Sequence, residues 1–239
     1  MRKLFVFLLL IPLAGMNQDK NVINVTRVFP KIEKVGEFEK ALTAHAQKYH
    51  TGDWKWRVSE IQSGPDAGGY SIVEDPHNWD QLDKRGNLGA EHQNDWNKNV
   101  AMYLTDKYQS TFAEYKEELA NGQLTDYSDK YAVTHVFTKP GMYGDALEIL
   151  KNLKKMWAAD KQLVIVYEAS ASGPTQFLIV TRYKNGLKER QSGFLKPLPE
   201  RYEAANGAGS FQKYNEAVQK VTDNFWSELL FTRLDLSSK

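Results

Sequence analysis

The chain repeats itself, and this constrains its fold more than any other feature. Val25-Thr26-Arg27-Val28-Phe29 recurs as Val133-Thr134-His135-Val136-Phe137, an offset of 108 residues. Ser63-Gly64-Pro65 recurs as Ser172-Gly173-Pro174, one residue further along. Either match alone is at chance level. Two matches in the same order at nearly the same offset point to an internal duplication with one small insertion between them.

Local patterning agrees between the copies. After the first repeated segment, Val35, Phe38, Leu42, Ala46 and Tyr49 fall at helical spacing; after the second, Leu147, Leu150, Leu153 and Trp157 do the same. Lys139-Pro140-Gly141 opens the second of these helices with a turn. Trp54, Trp56 and Val58 alternate with polar neighbours, as a half-buried strand does. Aligned through Ser-Gly-Pro, they fall opposite Leu163, Ile165 and Tyr167. A third strand follows in each copy, over Tyr70–Val73 and Phe177–Val180. Beyond it, Trp79, Leu82, Trp96, Val100 and Leu104 suggest broken helix up to about Tyr108. In the second copy Pro197 and Pro199 interrupt any long helix, and Phe211, Tyr214, Val218 and Val221 resume the spacing. The closing strand is clear over Glu228–Leu234 and weak over Thr111–Tyr115, where helix is the alternative.

Each copy therefore reads β-α-β-β-α-β, the split βαβ plan. The expected fold class is α+β: two tandem ferredoxin-like βαββαβ units forming an intrachain pseudo-dimeric α/β barrel. A single such sheet leaves one face bare, and a second copy covers it. The expected boundaries are a leader over residues 1–18, a first unit over 19–120, a linker over 121–129 marked by Asn121-Gly122, and a second unit over 130–239.

The leader is read from Arg2 and Lys3 followed by the apolar stretch Leu4–Leu13 and then polar Asn17-Gln18-Asp19-Lys20. This is the secretory signal pattern, and a ten-residue run is too short to span a bilayer; a buried N-terminal element is the alternative. The mature chain is expected outside the cytoplasm, periplasmic or extracellular, with no membrane anchor. Lys plus Arg total 31 and Asp plus Glu 30, so nothing marks a nucleic-acid partner. The absence of cysteine excludes disulfide scaffolds, thiolate metal sites and cysteine nucleophiles. No phosphate loop, dinucleotide fingerprint, nucleophile elbow or H-E-x-x-H motif is present.

The repeated strand running into Lys139-Pro140-Gly141, the amphipathic helix after it and the second strand ending in a tight turn resemble the dimeric α/β-barrel superfamily, including antibiotic-biosynthesis-monooxygenase-like proteins. The resemblance implies a pocket between sheet and helices in each half. It also implies cofactor-free oxygenase, haem-degrading or haem-dependent chemistry among its members, so the cofactor is left open, with haem as one that the resemblance allows. Copy one departs from the pattern at Pro30-Lys31 and in an insert around Gly86–Asn99, so the two pockets need not be equivalent.

Candidate pocket residues follow. Arg27 and His135 share one repeat position inside an apolar strand, where an ionisable group needs either a wet pocket or a partner. His92 and Trp96 share a face if that segment is helical, and Trp79 is near them in the chain. His45 and His50 stand five apart and lack the i, i+4 spacing of a helical metal site, so no metal is expected. The functional reading is an exported protein that binds a small apolar molecule or a partner, with a further copy of itself as one possible partner. The alternative is a cofactor-independent or haem-linked monooxygenase-like enzyme.

Overall fold

A computed structural model describes residues 20–239; the leader expected over residues 1–18 lies outside them. The elements are β1 (Val22–Pro30), α1 (Val35–Tyr49), β2 (Trp56–Ile61), β3 (Tyr70–Glu74), α2 (Trp79–Lys84), α3 (Ala90–Asp95), β4 (Leu104–Tyr115), β5 (Lys130–Thr138), α4 (Tyr143–Ala159), β6 (Leu163–Ser170), β7 (Gln176–Arg182), α5 (Leu198–Asn206), α6 (Ser210–Val221) and β8 (Thr222–Thr232). Among the described residues, no helix is long and apolar enough to cross a membrane.

The eight strands form one closed antiparallel barrel in the order β1-β3-β2-β8-β5-β7-β6-β4, with β4 returning to β1. This overturns the expected fold of two tandem ferredoxin-like units. No strand is left as a free edge, because β2 pairs with β8 through Ser59↔Thr232, Glu60↔Phe231 and Ile61↔Leu230. β4 pairs with β6 from Phe112↔Ser170 to Tyr115↔Tyr167. Closure pairs strand edges that two open sheets would leave exposed. The strands from both halves thus surround one interior and do not stack as two faces.

Alternation along the strands sorts the core into three parts. Ile23, Ile61, Ala113, Val133, Ile165, Tyr167, Leu178, Val180 and Leu230 fill the barrel. On the outside, Phe38 and Leu42 of α1 pack on Val28, Val58, Tyr70 and Ile72. Leu150, Leu153 and Trp157 of α4 pack on Val164, Val166 and Phe177. The alignment through Ser-Gly-Pro is corrected here. Trp56 and Val58 face the helices, whereas Ile165 and Tyr167 face the interior. The extra residue lies between the strand and its turn, and a slip of one residue exchanges the two faces of a strand. Trp54 lies outside the strand in a short 3-10 turn and stacks on His77 with ring centroids 3.6 Å apart. β4 begins at Leu104, within the stretch expected to be helical.

Candidate functional site

Three regions carry chemistry: the barrel interior and the two layers between sheet and helices. Inside the barrel, the repeat places Arg27 on β1 and His135 on β5, both pointing inward and buried. They meet. Arg27 Nη1 donates to Asp66 Oδ2 at 2.7 Å and to Glu228 Oε2 at 2.8 Å. Its Nη2 donates to Glu228 Oε1. Gln176 donates to His135 Nδ1 at 2.7 Å, which leaves the proton on Nε2 to be given to Glu228 Oε1 at 3.0 Å. Trp226 stacks on the imidazole with centroids 3.7 Å apart. Lys107 completes the set at 2.6 Å from Asp66 Oδ1. Two carboxylates thus face two cations around a neutral imidazole.

The protonation states follow from this geometry. Burial disfavours the Arg27 charge, but Glu228 and Asp66 outweigh it and its pKa rises. Burial would raise the Glu228 carboxyl, and bonds from His135 and Arg27 hold it below the usual range instead. Burial and the Arg27 charge lower the pKa of His135 despite Glu228. The turn carrying Asp66 docks closely on β8. At Gly64, with φ of +89°, an added Cβ would lie 3.1 Å from Glu228 Cβ, so glycine permits the approach. Arg27 borders a small interior cavity of about 100 Å³ that His135 does not reach. Both His135 nitrogens are engaged, so the cluster acts as a joint between strands from both halves.

The outer layers differ. In the second half, α4 and α6 stand off β5, β7 and β8 around a cavity of about 210 Å³. Val136, Ile149, Phe177, Ile179, Val218 and Phe225 give its apolar walls, and Thr134, Thr138, Thr222 and Tyr214 its hydroxyls. Phe225 is 64% exposed at the rim. Burial pushes the Tyr214 phenol up, so it stays protonated.

In the first half, the same layer holds three histidines. His45 lies on the inner face of α1, and His50 follows the helix end, where the backbone leaves the helical region at φ −110° and ψ 74°. His92 comes from α3 in the insert. His92 Nε2 is 3.2 Å from His45 Nε2 and 3.3 Å from His50 Nε2. Asp95 accepts from His45 Nδ1 at 2.8 Å. Trp56 stacks on His50 at 3.4 Å, and Trp96 packs edge-on to His45. Burial lowers all three imidazole pKa values, His50 to about 2. His50 and His92 line a polar cleft of about 300 Å³ with Asn24, Thr26, Glu74 and Arg85. His92 and Trp96 thus share one cluster as their spacing suggested. Trp79 is 43% exposed and packs instead on Phe112. Sequence reasoning missed Asp66, Gln176 and Glu228 in the barrel and set His45 and His50 aside. The signal available was that residues five apart meet on one side when a helix ends between them.

Neither the apolar cavity nor the barrel cluster offers a haem an axial ligand. Among those lining the 210 Å³ cavity there is no His, Cys or Met, and its Tyr214 is held protonated. Both His135 nitrogens are engaged, so that ring offers a haem no free ligand atom.

No protein-family model matches the sequence, and no curated protein matches it. Solved structures do. A protein described as a monooxygenase from Fusobacterium nucleatum aligns over 88% of this chain and 91% of its own, at 14% identity and TM-score 0.56. An anthrone oxidase-like protein aligns over 90% and 92%, at 17% identity and TM-score 0.55. A mutant chlorite dismutase from Candidatus Nitrospira defluvii aligns over 90% and 92%, at 10% identity and TM-score 0.51. At these identities the likeness is one of fold, shared with oxygenase-type and chlorite dismutase proteins of the kinds the sequence resemblance implied.

Proposed function

We propose that this protein is exported and binds a small apolar molecule in the cavity of the second half. One observation carries the reading. The layer under α4 and α6 is open where a packed core would be closed, and its walls are Val136, Ile149, Phe177, Ile179, Val218 and Phe225. Native interiors are packed to crystal density, so a void of this size is a departure from ordinary core packing. Apolar cavities of roughly 150 Å³ stay dry and take up benzene. A guest of one or two rings suits this one, with Tyr214 and the threonine hydroxyls to orient a single polar substituent. Phe225 at the rim offers the way in.

The fold likeness to monooxygenase and anthrone oxidase-like proteins supports a second reading, oxygenation of that guest without a cofactor. The lining contains hydroxyls and no carboxylate, imidazole or amine to take a proton, so binding is preferred. Titration with 1-aminonaphthalene, read by its fluorescence, tests binding. Saturation by one equivalent is expected, weakened at least about tenfold in Val218→Trp, which fills the cavity. Equal binding by that variant overturns the site. Oxygen uptake with an anthrone, abolished in the same variant, would establish the oxygenase reading over simple binding.

A further inference from the structure

The three histidines of the first half form a contact that their own protons cannot satisfy. A neutral imidazole carries one N–H. His45 spends its proton on Asp95 through Nδ1, so its Nε2 presents a lone pair to His92. If His92 Nε2 is also bare, two lone pairs face each other at 3.2 Å. If His92 Nε2 carries its proton and gives it to His45, the contact with His50 at 3.3 Å has no linear donor left on His92. The two contacts cannot both be good hydrogen bonds. His50 Nδ1 is buried without a hydrogen bond, and the nearest carboxylate oxygen, Glu74 Oε2, is 4.0 Å away.

A cation among the three Nε2 atoms removes the conflict between their lone pairs. We propose that His45, His50 and His92 are the three protein ligands of a divalent transition-metal ion of the zinc class, with the fourth position open to the cleft. A tetrahedral ion with metal–nitrogen bonds of about 2.05 Å holds its ligand atoms about 3.3 Å apart. The two measured edges are 3.2 and 3.3 Å. All three ligand atoms lie within 4.8 Å of one another, so the remaining edge closes by a small rotation of His50 or His45.

The surroundings have the form of an outer shell. Ligating histidines characteristically give their other N–H to a carboxylate, which fixes tautomer and ring orientation. Asp95 serves His45 in this way, and Glu74 is the carboxylate placed toward His50. Stacking on Trp56 fixes the His50 ring plane. Directly after Asp95, α3 runs into a π-helical turn over Trp96–Val100, a local insertion that accompanies functional sites and here swings Trp96 against His45. Neutral nitrogen ligands suit zinc, cobalt, nickel or copper, not calcium or magnesium. Three protein ligands with an open fourth position is the arrangement that leaves a bound water reactive. That water would face Asn24, Thr26 and Arg85 in the cleft.

The test uses the untagged chain, freed of metal with a chelator and titrated with Zn²⁺ and with Co²⁺ by calorimetry. The only imidazoles outside the cluster are His77 and His135. One equivalent of either ion is expected, with affinity about 100-fold weaker or worse in His92→Ala. The half-exposed His92 makes this the variant best placed to keep its fold, checked by circular dichroism. Asp95→Asn is expected to weaken binding about 10–100-fold while leaving the stoichiometry at one. On the wild-type chain, Co²⁺ should shift the NMR resonances of His45, His50 and His92 and leave those of His77 and His135 in place. No saturable binding, unchanged binding by His92→Ala, or shifts at His77 or His135 alone overturns the proposal. The apolar guest site lies in the other half, so its success or failure is read separately.

Discussion

The two layers between sheet and helices occupy corresponding places and solve the same packing problem differently. Under α4 and α6, long aliphatic and aromatic side chains meet at their tips and leave an apolar cavity. Under α1, Phe38 and Leu42 seal the sheet at one end, and His45, His50, Trp56, His92 and Trp96 crowd the other. The insert carrying α3 makes the difference. It brings His92 and Asp95 onto a helix that already holds His45, and it replaces hydrocarbon with imidazole. One architecture thus offers an apolar site and a polar one, and what fills the layer decides which. The shared cluster of Arg27, His135 and Glu228 lies between them inside the barrel and belongs to neither.

The comparison breaks most easily at that joint. Arg27→Met leaves Asp66 and Glu228 buried without their main partner, and removing one member of a buried ion pair costs about 3–5 kcal/mol. Urea unfolding should show this loss. The triple variant Arg27→Met, Asp66→Asn, Glu228→Gln should recover much of it, because no unpaired charge remains. A loss below about 1 kcal/mol for the single variant would mean the joint does not hold the halves together.

A smaller difference, about 1–2 kcal/mol between two variants, separates the layers themselves. Phe38→Ala empties a closed core and is expected to cost about 4–5 kcal/mol, the upper end for a buried phenylalanine. Phe177→Ala widens a cavity that already exists, so fewer contacts are lost and about 3 kcal/mol is expected. Saturating 1-aminonaphthalene should restabilise the second variant and leave the first unchanged. Equal costs and no rescue would remove the distinction between a packed layer and an open one.

The smallest effect is in pH. The His135 pKa is lowered by burial, so the folded protein holds this ring neutral where the unfolded chain, at about 6.5, takes a proton. Its contribution is complete above about pH 6.5 and is lost as pH falls below that value. The lowered carboxyls of Glu228 and Asp66 add a second loss below the ordinary carboxylate range. Chemical-denaturation midpoints from pH 7.5 to 5 should therefore decline on acidification. The decline should be shallower in His135→Gln, which keeps a polar group there and removes the titration. An identical slope would show that His135 is not held neutral.

Much of the local structure was legible in the chain. The helical spacing of Val35, Phe38, Leu42, Ala46 and Tyr49 falls within α1, and the recurring segment put Arg27 and His135 at equivalent positions of two strands. β4 was legible only as a weak strand over Thr111–Tyr115, because Leu104–Tyr115 is mostly polar and exposed, and its pairing with β1 and β6 makes it a strand where its own pattern does not. The relation between Trp56 and Ile165 was misread because the repeat is displaced by one residue, and identity alone does not say on which side of a strand the insertion falls.

By itself the sequence determined what depends on neighbours within a turn or two: most of the helices and strands, and that two ionisable groups sit at equivalent positions of their strands. Closure of the barrel, the partners of those groups and the meeting of the histidines were decided only by the tertiary structure. Arg27 and Glu228 are 201 residues apart, and His45 and His92 are 47 apart. No periodicity encodes a contact over such a distance. It forms because pairing β2 with β8 and β4 with β6 closes the strands of both halves around one interior.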